Sequence, residues 1–233
     1  AAGAGLVTIG TTSQAMPAIT REAYEVMGMP LLSTEGFEGS CEDLLTPFDS
    51  VVIGPGFPLG PMGGKHVRAV VGSGQRPGVI DADGLNHLVG SLDVVASERW
   101  VLTPHPGEAG RLLKCSTADV QNDRFGAVRA LSLRAKTVVV LKGAHTLVGT
   151  PDGRIGVCPD GNAGMASAGM GDVLAGVIGA LLARGLDPFQ AAKTGVLWHA
   201  KAGDFARKLR GENGLRARDV IECLGEVETC WSD

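Results

Sequence analysis

Basic charge is neither in excess nor clustered in this chain. Its 233 residues carry 21 Lys and Arg against 25 Asp and Glu, a formal net charge of -4. That excludes the footprint of a nucleic-acid binder, which needs Lys and Arg gathered on one face. The small group Arg207, Lys208 and Arg210 reads as a solvated helix face. Cysteine is sparse and unpaired in pattern: five stand at 41, 115, 158, 223 and 230, an odd number with no CxxC. That excludes a disulfide framework and the usual zinc spacing. It fits buried thiols in a reducing compartment, hence a cytoplasmic protein. No long hydrophobic run is present. The longest, Val173 to Ala183, is too short to span a bilayer. Aromatics amount to 4% of the chain, with a single tyrosine. The first residues do not read as a signal peptide. They read as a helix end leading into a strand without an initiator Met, which suggests an amino-terminal truncation. No internal repeat or linker divides the chain.

Glycine, by contrast, is abundant at 35 residues. Its placement is aperiodic and interrupted by apolar runs, so neither collagen nor a flexible linker is implied. Short apolar, β-branched runs recur at Leu6 to Ile9, Ser50 to Ile53, Gly78 to Ile80, Val94 to Val95, Trp100 to Leu102 and Thr137 to Leu141. Such runs suit strands buried on both faces of a parallel sheet. Helical stretches separate them at Lys65 to Gly72, Asn86 to Leu88, Glu108 to Leu113 and Ala118 to Leu133. The alternation predicts βαβ units in a doubly wound α/β fold. A Pro-Asp-Gly turn between Leu147 and Ile155 predicts a β-hairpin. Three helices follow, over Asp172 to Arg184, Pro188 to Arg207 and Ala217 to Gly225.

The stretch "GNAGMASAGMGDVLAG", residues 161–176, leads into the first of those helices. Asp172 suits an N-cap, but a cap does not explain Gly169 and Gly171 just before it. Glycines allow positive φ and close approach of a ligand to the backbone. A glycine turn feeding a helix start aims N–H groups and the positive dipole end at one spot, an anion site. A carboxylate beside a phosphate site repels it and so has another task, accepting the proton of an attacking hydroxyl. Phosphate cradle plus base describes phosphoryl transfer. No Walker A loop is present.

Four strand ends carry unusual residues, where open α/β sheets bind ligands. "VLTPHPGEAGRLL" holds His105 between two prolines, with Glu108 opening a helix. His105 suits a substrate contact, and Glu108 suits Mg²⁺ reached through water. Their plain alternatives are a loop histidine and a first-turn acid. "VVVLKGAHT" ends in Lys142, placed for a nucleotide phosphate, with Thr146 as a hydroxyl donor; the plain alternative is a surface lysine. "VIDADGLN" puts Asp81 and Asp83 on opposite faces of a strand end, one of them serving loop structure only, and Asn86 within reach of the site. "VVIGPGFPLG" supplies Gly54 and Gly56.

Together "IGPG", "DADGLN", "LTPHPGEAGRLL", "VVLKGAHT" and "GNAGMASAGMGDVLAGVIGALLARGL" closely resemble the NAD(P)H-hydrate dehydratases, in particular the bacterial ADP-dependent branch. The likeness covers almost the whole chain. It implies a single ribokinase-like α/β domain over 1–233, a mostly parallel central sheet with helices on both faces. It implies a hydro-lyase that repairs NADH or NADPH hydrated on the nicotinamide ring. The ring hydroxyl is phosphorylated by ADP or ATP with Mg²⁺, phosphate leaves, and the double bond returns. Asp172 matches the family's catalytic acid. Gly56, His105 and Asp172 match positions facing the hydrated cofactor. Lys142, Gly143, Ala144, His145, Thr146, Asn162, Gly169 and Gly171 match the nucleotide site. A fused or separate epimerase and a homo-oligomer are further implications.

The chain departs from the family pattern in places. It has "GPGFPLG" for the usual GPGLG, and Ala168 where glycine is frequent. The family's first strand, glycine turn and following helix are missing from the pattern. The nearest alternative is a small-alcohol kinase of the same fold, of the hydroxyethylthiazole or hydroxymethylpyrimidine type. His105 and the "GNAGMAS" lead-in favour the dehydratase. A nucleotide-binding module without activity is the alternative from another class. No GxGxxG supports a dinucleotide oxidoreductase.

Overall fold

The computed structural model describes residues 2–23, 25–32, 41–95 and 97–229. It opens with a small parallel pair, β1 (Val7–Thr12) and β2 (Val26–Leu32), joined by α1 (Met16–Glu22). The chain continues through α2 (Cys41–Leu45), β3 (Val51–Ile53), α3 (Pro61–Ser73), β4 (Gly78–Ile80) and α4 (Ala82–Asn86). Next come β5 (Trp100–Leu102), α5 (Pro106–Leu113), α6 (Thr117–Asn122), α7 (Arg124–Ala135) and β6 (Val138–Leu141). The hairpin β7 (Leu147–Gly149) and β8 (Ile155–Val157) precedes α8 (Met170–Ala183), α9 (Pro188–Arg210) and α10 (Ala217–Thr229). β3 to β8 form a six-stranded sheet in chain order, parallel through β6 and antiparallel beyond it.

Strand side chains alternate between faces, and here both faces are apolar. Val79, Val101, Val138, Val140 and Val148 face a cluster with Leu174, Ile178, Val196, Trp198 and Leu224 from α8, α9 and α10. Ile80, Leu102, Val139, Leu141 and Leu147 face the opposite cluster, with Val67, Leu85, Leu112 and Leu131 from α3, α4, α5 and α7. This is why the strands read as continuous β-branched runs. The expected α/β class with helices on both faces holds. The six-stranded sheet shows no reversal of strand order, however. Its crossover helices share one face, and the last three helices cover the other.

Several local expectations need correction. Val94–Val95 is not a strand but the end of a 3-10 turn over Leu92–Val95, with Leu92 and Val95 buried in the core. The expected helix 118–133 is two helices. Asp123 leaves the helical region at φ -136 and ψ 74, and its carboxylate accepts from the Gly126 N–H at 2.7 Å, so one residue ends α6 and caps α7. β2, rich in Met, Gly and Pro, carries no sequence signal of a strand. Of the described cysteines, Cys158 and Cys223 are buried, but Cys115 is exposed; Cys230 lies outside the described residues. The Arg207, Lys208 and Arg210 face is exposed as expected, and Arg210 also pairs with Asp219 at 3.6 Å and Glu222 at 3.7 Å of α10.

Candidate active site

The carboxyl ends of β4, β5 and β6 deliver three charged side chains to one place. Asp81 directly follows β4 and is the N-cap residue of α4, 1% exposed. It does not share a strand end with Asp83 on opposite faces, as the sequence suggests. Asp83 lies in the first turn of α4 and accepts from Asn86 at 2.9 Å, while Asn86 accepts from Arg111 at 2.9 Å. Asp83 and Asn86 therefore tie α4 to α5 rather than enter the site. Lys142 directly follows β6, and its Nζ lies 2.6 Å from Asp81 Oδ1 and 3.9 Å from Glu108 Oε2. Its backbone N–H donates to the Pro104 carbonyl at 2.9 Å, which locks the β6 end to the turn after β5.

Glu108 is buried because α5 starts with a capping box. His105 is the N-cap, and its Nδ1 accepts from the Gly107 N–H at 3.0 Å and the Glu108 N–H at 3.3 Å. Glu108 Oε2 accepts from the His105 N–H at 2.7 Å. Both residues thus combine the plain structural role with a position at the site. Nδ1 of His105 is spent on the cap, and its Nε2 lies 3.5 Å from Glu108 Oε1, on a side chain that is 50% exposed.

The opposite wall is the start of α8. Gly169, not Asp172, is the N-cap, at φ +83 with no side-chain cap. Asp172 sits in the first turn instead, where the N–H groups of Gly171 and its own have no acceptor inside the helix. A Cβ on Gly171 would stand 3.2 Å from Lys142 Nζ and 3.5 Å from Asp81 Oδ2, so bare backbone here permits the approach of α8 to the ion pair. Asp81 Oδ2 is buried and has no hydrogen-bond partner. Asp172 is open to solvent, yet its pKa is raised, first by the desolvation its neighbours impose and then by the Asp81 carboxylate, against a smaller opposing pull from Lys142. The site therefore holds a carboxylate more basic than an isolated one.

The other expected residues are dispersed around this centre. Gly54 at φ +127 has no room for a Cβ, which would strike the Asp81 carbonyl; it is a packing requirement that places Asp81. Gly56 lies beyond it at φ +67, with open space where its Cβ would be. Gly143, Ala144 and His145 form the exposed β6–β7 turn, with Gly143 at φ +129 and His145 at φ +52. Thr146 donates to the Gly143 carbonyl at 2.9 Å and closes that turn. Asn162 points its amide to Asp204 of α9 at 2.9 Å. Sequence reasoning left Asp81 unassigned and gave no role to Arg124, whose guanidinium holds the Leu141 carbonyl at 3.2 Å and the Lys142 carbonyl at 3.5 Å. Asp81 had a signal, an acid at a strand end. Arg124 had none.

Among the described residues, no group of three or more His, Cys, Asp and Glu could hold a metal ion directly. A Mg²⁺ entering on nucleotide phosphates would meet one carboxylate here, Glu108, whose Oε1 lies 3.5 Å from His105 Nε2.

A mostly parallel sheet whose strand ends face a glycine-bounded helix start carrying one acid is a ribokinase-like arrangement, and the fold is of that class. The chain belongs to the NAD(P)H-hydrate dehydratase family, whose profile matches residues 1–225. It is 41% identical over 222 residues to the bifunctional NAD(P)H-hydrate repair enzyme of Coxiella burnetii, covering 95% of this chain and 44% of that protein. It is 43% identical over 150 residues to the ADP-dependent (S)-NAD(P)H-hydrate dehydratase of Neisseria meningitidis, covering 62% of this chain and 51% of that one. The chain thus spans about half the length, or less, of these curated relatives. The ADP/ATP-dependent NAD(P)H-hydrate dehydratase of Bacillus subtilis, crystallised with ATP and Mg²⁺, superposes with a TM-score of 0.81 at 25% identity. The match covers 98% of this chain and 82% of that one.

Proposed function

We propose that the chain is an ADP-dependent dehydratase of the S-form of hydrated NADH and NADPH. The observation that carries this reading is Asp172, a carboxylate of raised pKa in the first turn of α8, facing the Lys142–Asp81 pair. Phosphate oxygens of the nucleotide meet the N–H groups at Gly171 and Asp172. Asp172 accepts the proton of the ring hydroxyl as its oxygen attacks the terminal phosphoryl group, a step that general base catalysis accelerates by about 10²–10⁴-fold. AMP departs when ADP is the donor. Lys142, held by Asp81, places a positive charge beside the phosphoryl group in transfer. Phosphate then leaves the ring carbon, the neighbouring carbon loses its proton, and the double bond returns. Glu108 would meet Mg²⁺ through water, and the ion, when bound, would neutralise charge on the phosphates. His105 Nε2 and the turn at Gly56 flank the hydrated ring. The β6–β7 turn, Lys142 to Thr146, with Asn162 and Gly169, borders the nucleotide.

The same reading includes a cytoplasmic location, a homo-oligomer, and an epimerase either fused or separate. Among the described residues, no helix is long and apolar enough to cross a membrane. The test is incubation with chemically hydrated NADH, Mg²⁺ and either ADP or ATP. Recovery of dihydronicotinamide absorbance with release of free phosphate is expected. No recovery, with tight ADP binding intact, would point to a small-alcohol kinase instead.

A further inference from the structure

The glycine-rich segment that leads into α8 is moulded almost entirely on α9 and on the α9–α10 junction. The Gly161 N–H donates to Asp204 Oδ2 at 2.9 Å, and Asn162 Nδ2 donates to Asp204 Oδ1 at 2.9 Å. One carboxylate on α9 thus grips two successive residues more than forty positions earlier, using both of its oxygens. The segment next makes a 3-10 turn over Ala163–Met165. Met165 lies against Gly203, where a Cβ would collide with its sulfur, and Gly164 packs on the Glu212 carbonyl with equally little room. Ser167 Oγ reaches the Leu215 carbonyl at 3.4 Å, and a Cβ on Gly169 would lie 3.2 Å from that of Ala217. Buried His199 of α9 hydrogen-bonds the backbone of Met170. Apolar packing and neutral contacts hold the far end, whereas charge-assisted hydrogen bonds hold the near end.

We propose that Asp204 is a positioning residue for the anion cradle. Through Gly161 and Asn162 it fixes the path of segment 161–169, and so sets how well the start of α8 receives nucleotide phosphate. The proposal rests on reading that helix start as the nucleotide site. It also gives Asn162 a definite role. Its amide is spent on Asp204, so Asn162 acts on the nucleotide through the shape of the loop.

Geometry separates two substitutions. Asp204→Ala removes both acceptors. Asp204→Asn keeps one oxygen for the Gly161 N–H and offers an amide to Asn162, whose buried Oδ1 has no partner and becomes an acceptor once the Asn162 amide turns over. Both variants of the full chain are compared with wild type by amide hydrogen exchange across 161–170, by ADP titration calorimetry, and by turnover at saturating ADP. Asp204→Ala is expected to exchange faster at Gly161 and its neighbours only. Its ADP affinity is expected to fall roughly 10- to 100-fold because the loosened segment must then be ordered on binding, and turnover at saturating ADP should fall with it because Asp172 stands on the same helix start. Asp204→Asn should stay within about three-fold of wild type in affinity. Unaltered ADP affinity in Asp204→Ala overturns the proposal. So does equal damage in both variants, or faster exchange throughout the chain. A wild-type chain that binds neither ADP nor ATP defeats the nucleotide reading. In that event exchange at Gly161 still decides the anchor, and an unchanged rate rejects it.

Discussion

Asp81, Glu108 and Lys142 enter the site from the ends of neighbouring parallel strands, whereas Gly169, Gly171 and Asp172 enter it from a helix that lies across the other face of the sheet. The first wall is made of side chains that hold one another. Lys142 sits between two carboxylates, and Glu108 and His105 close a reciprocal capping box. The second wall is made of bare backbone, uncapped by any side chain and shaped from behind by α9. Its one charge, Asp172, is made more basic first by desolvation and then by the Asp81 carboxylate. The difference teaches where reactivity is kept. Opposite charges are paired on the sheet side, apart from the unpartnered Asp81 Oδ2, and the group whose proton affinity is raised stands on the helix side.

Replacing that group tests the contrast most severely. Asp172→Asn is expected to lower turnover by about 10²–10⁴-fold with ADP binding retained, read by steady-state assay and calorimetry. Its sign on stability should be opposite. A carboxyl whose folded pKa is raised is destabilising when ionised, a cost present at pH values above that pKa. The asparagine variant should therefore melt at or above the wild-type temperature at neutral pH. Undiminished turnover would remove Asp172 from the chemistry.

The sheet-side wall should respond in the other sense. Lys142→Met leaves Asp81, 1% exposed, as a buried charge without its partner. A loss of about 3 kcal/mol in unfolding free energy is expected from urea titration. The double variant Asp81→Asn with Lys142→Met should recover much of that stability while activity stays low. A single variant as stable as wild type would show that the ion pair is not what holds this wall.

The brace behind the helix-side wall gives a pH signature. His199 is buried, and desolvation lowers its pKa from 6.5 to about 4 in spite of the Met170 hydrogen bond. The unfolded chain takes up a proton near pH 6.5, and the folded chain does so only near pH 4. Stability contributed by neutral His199 is thus intact above pH 6.5 and declines as pH falls through that interval, to a total of about 3 kcal/mol. Urea midpoints across this range should fall steeply in wild type and less steeply in His199→Gln.

Much of this arrangement was legible in residue order. Parallel strands announced themselves as β-branched runs because both faces are covered, and the 147–155 hairpin by its Pro-Asp-Gly turn. Asp172 stood out because a cap alone does not explain Gly169 and Gly171 before it, and Lys142 because it ends a strand directly before a glycine. What escaped was set by tertiary contact. Asp204 and His199 lie within a helix whose pattern records only periodicity, so nothing in the sequence says which loop they hold. β2 lacks β-branched alternation and, among the described residues, pairs only with β1. Asp123 reads as an ordinary helix residue until its φ of -136 shows that it ends one helix and starts another.

The smallest expected effect concerns His105, where the two walls' logic meets in one side chain. Nδ1 caps α5, and Nε2 of the half-exposed ring, 3.5 Å from Glu108 Oε1, is the nitrogen we assign to the hydrated ring. His105→Ala should lose both functions, about 1 kcal/mol of stability from the cap and a raised KM for the hydrated dinucleotide. Asparagine is also a good N-cap and can accept from the same N–H groups, but it is too short to replace Nε2. His105→Asn should therefore restore the melting temperature without restoring KM. If asparagine restores both, His105 serves only to start α5, and the substrate contact must be sought elsewhere. If alanine leaves KM unchanged as well, the ring contributes nothing to the ligand beyond placing Glu108 through the cap. The two variants thus separate a histidine kept for its cap from one kept for its chemistry.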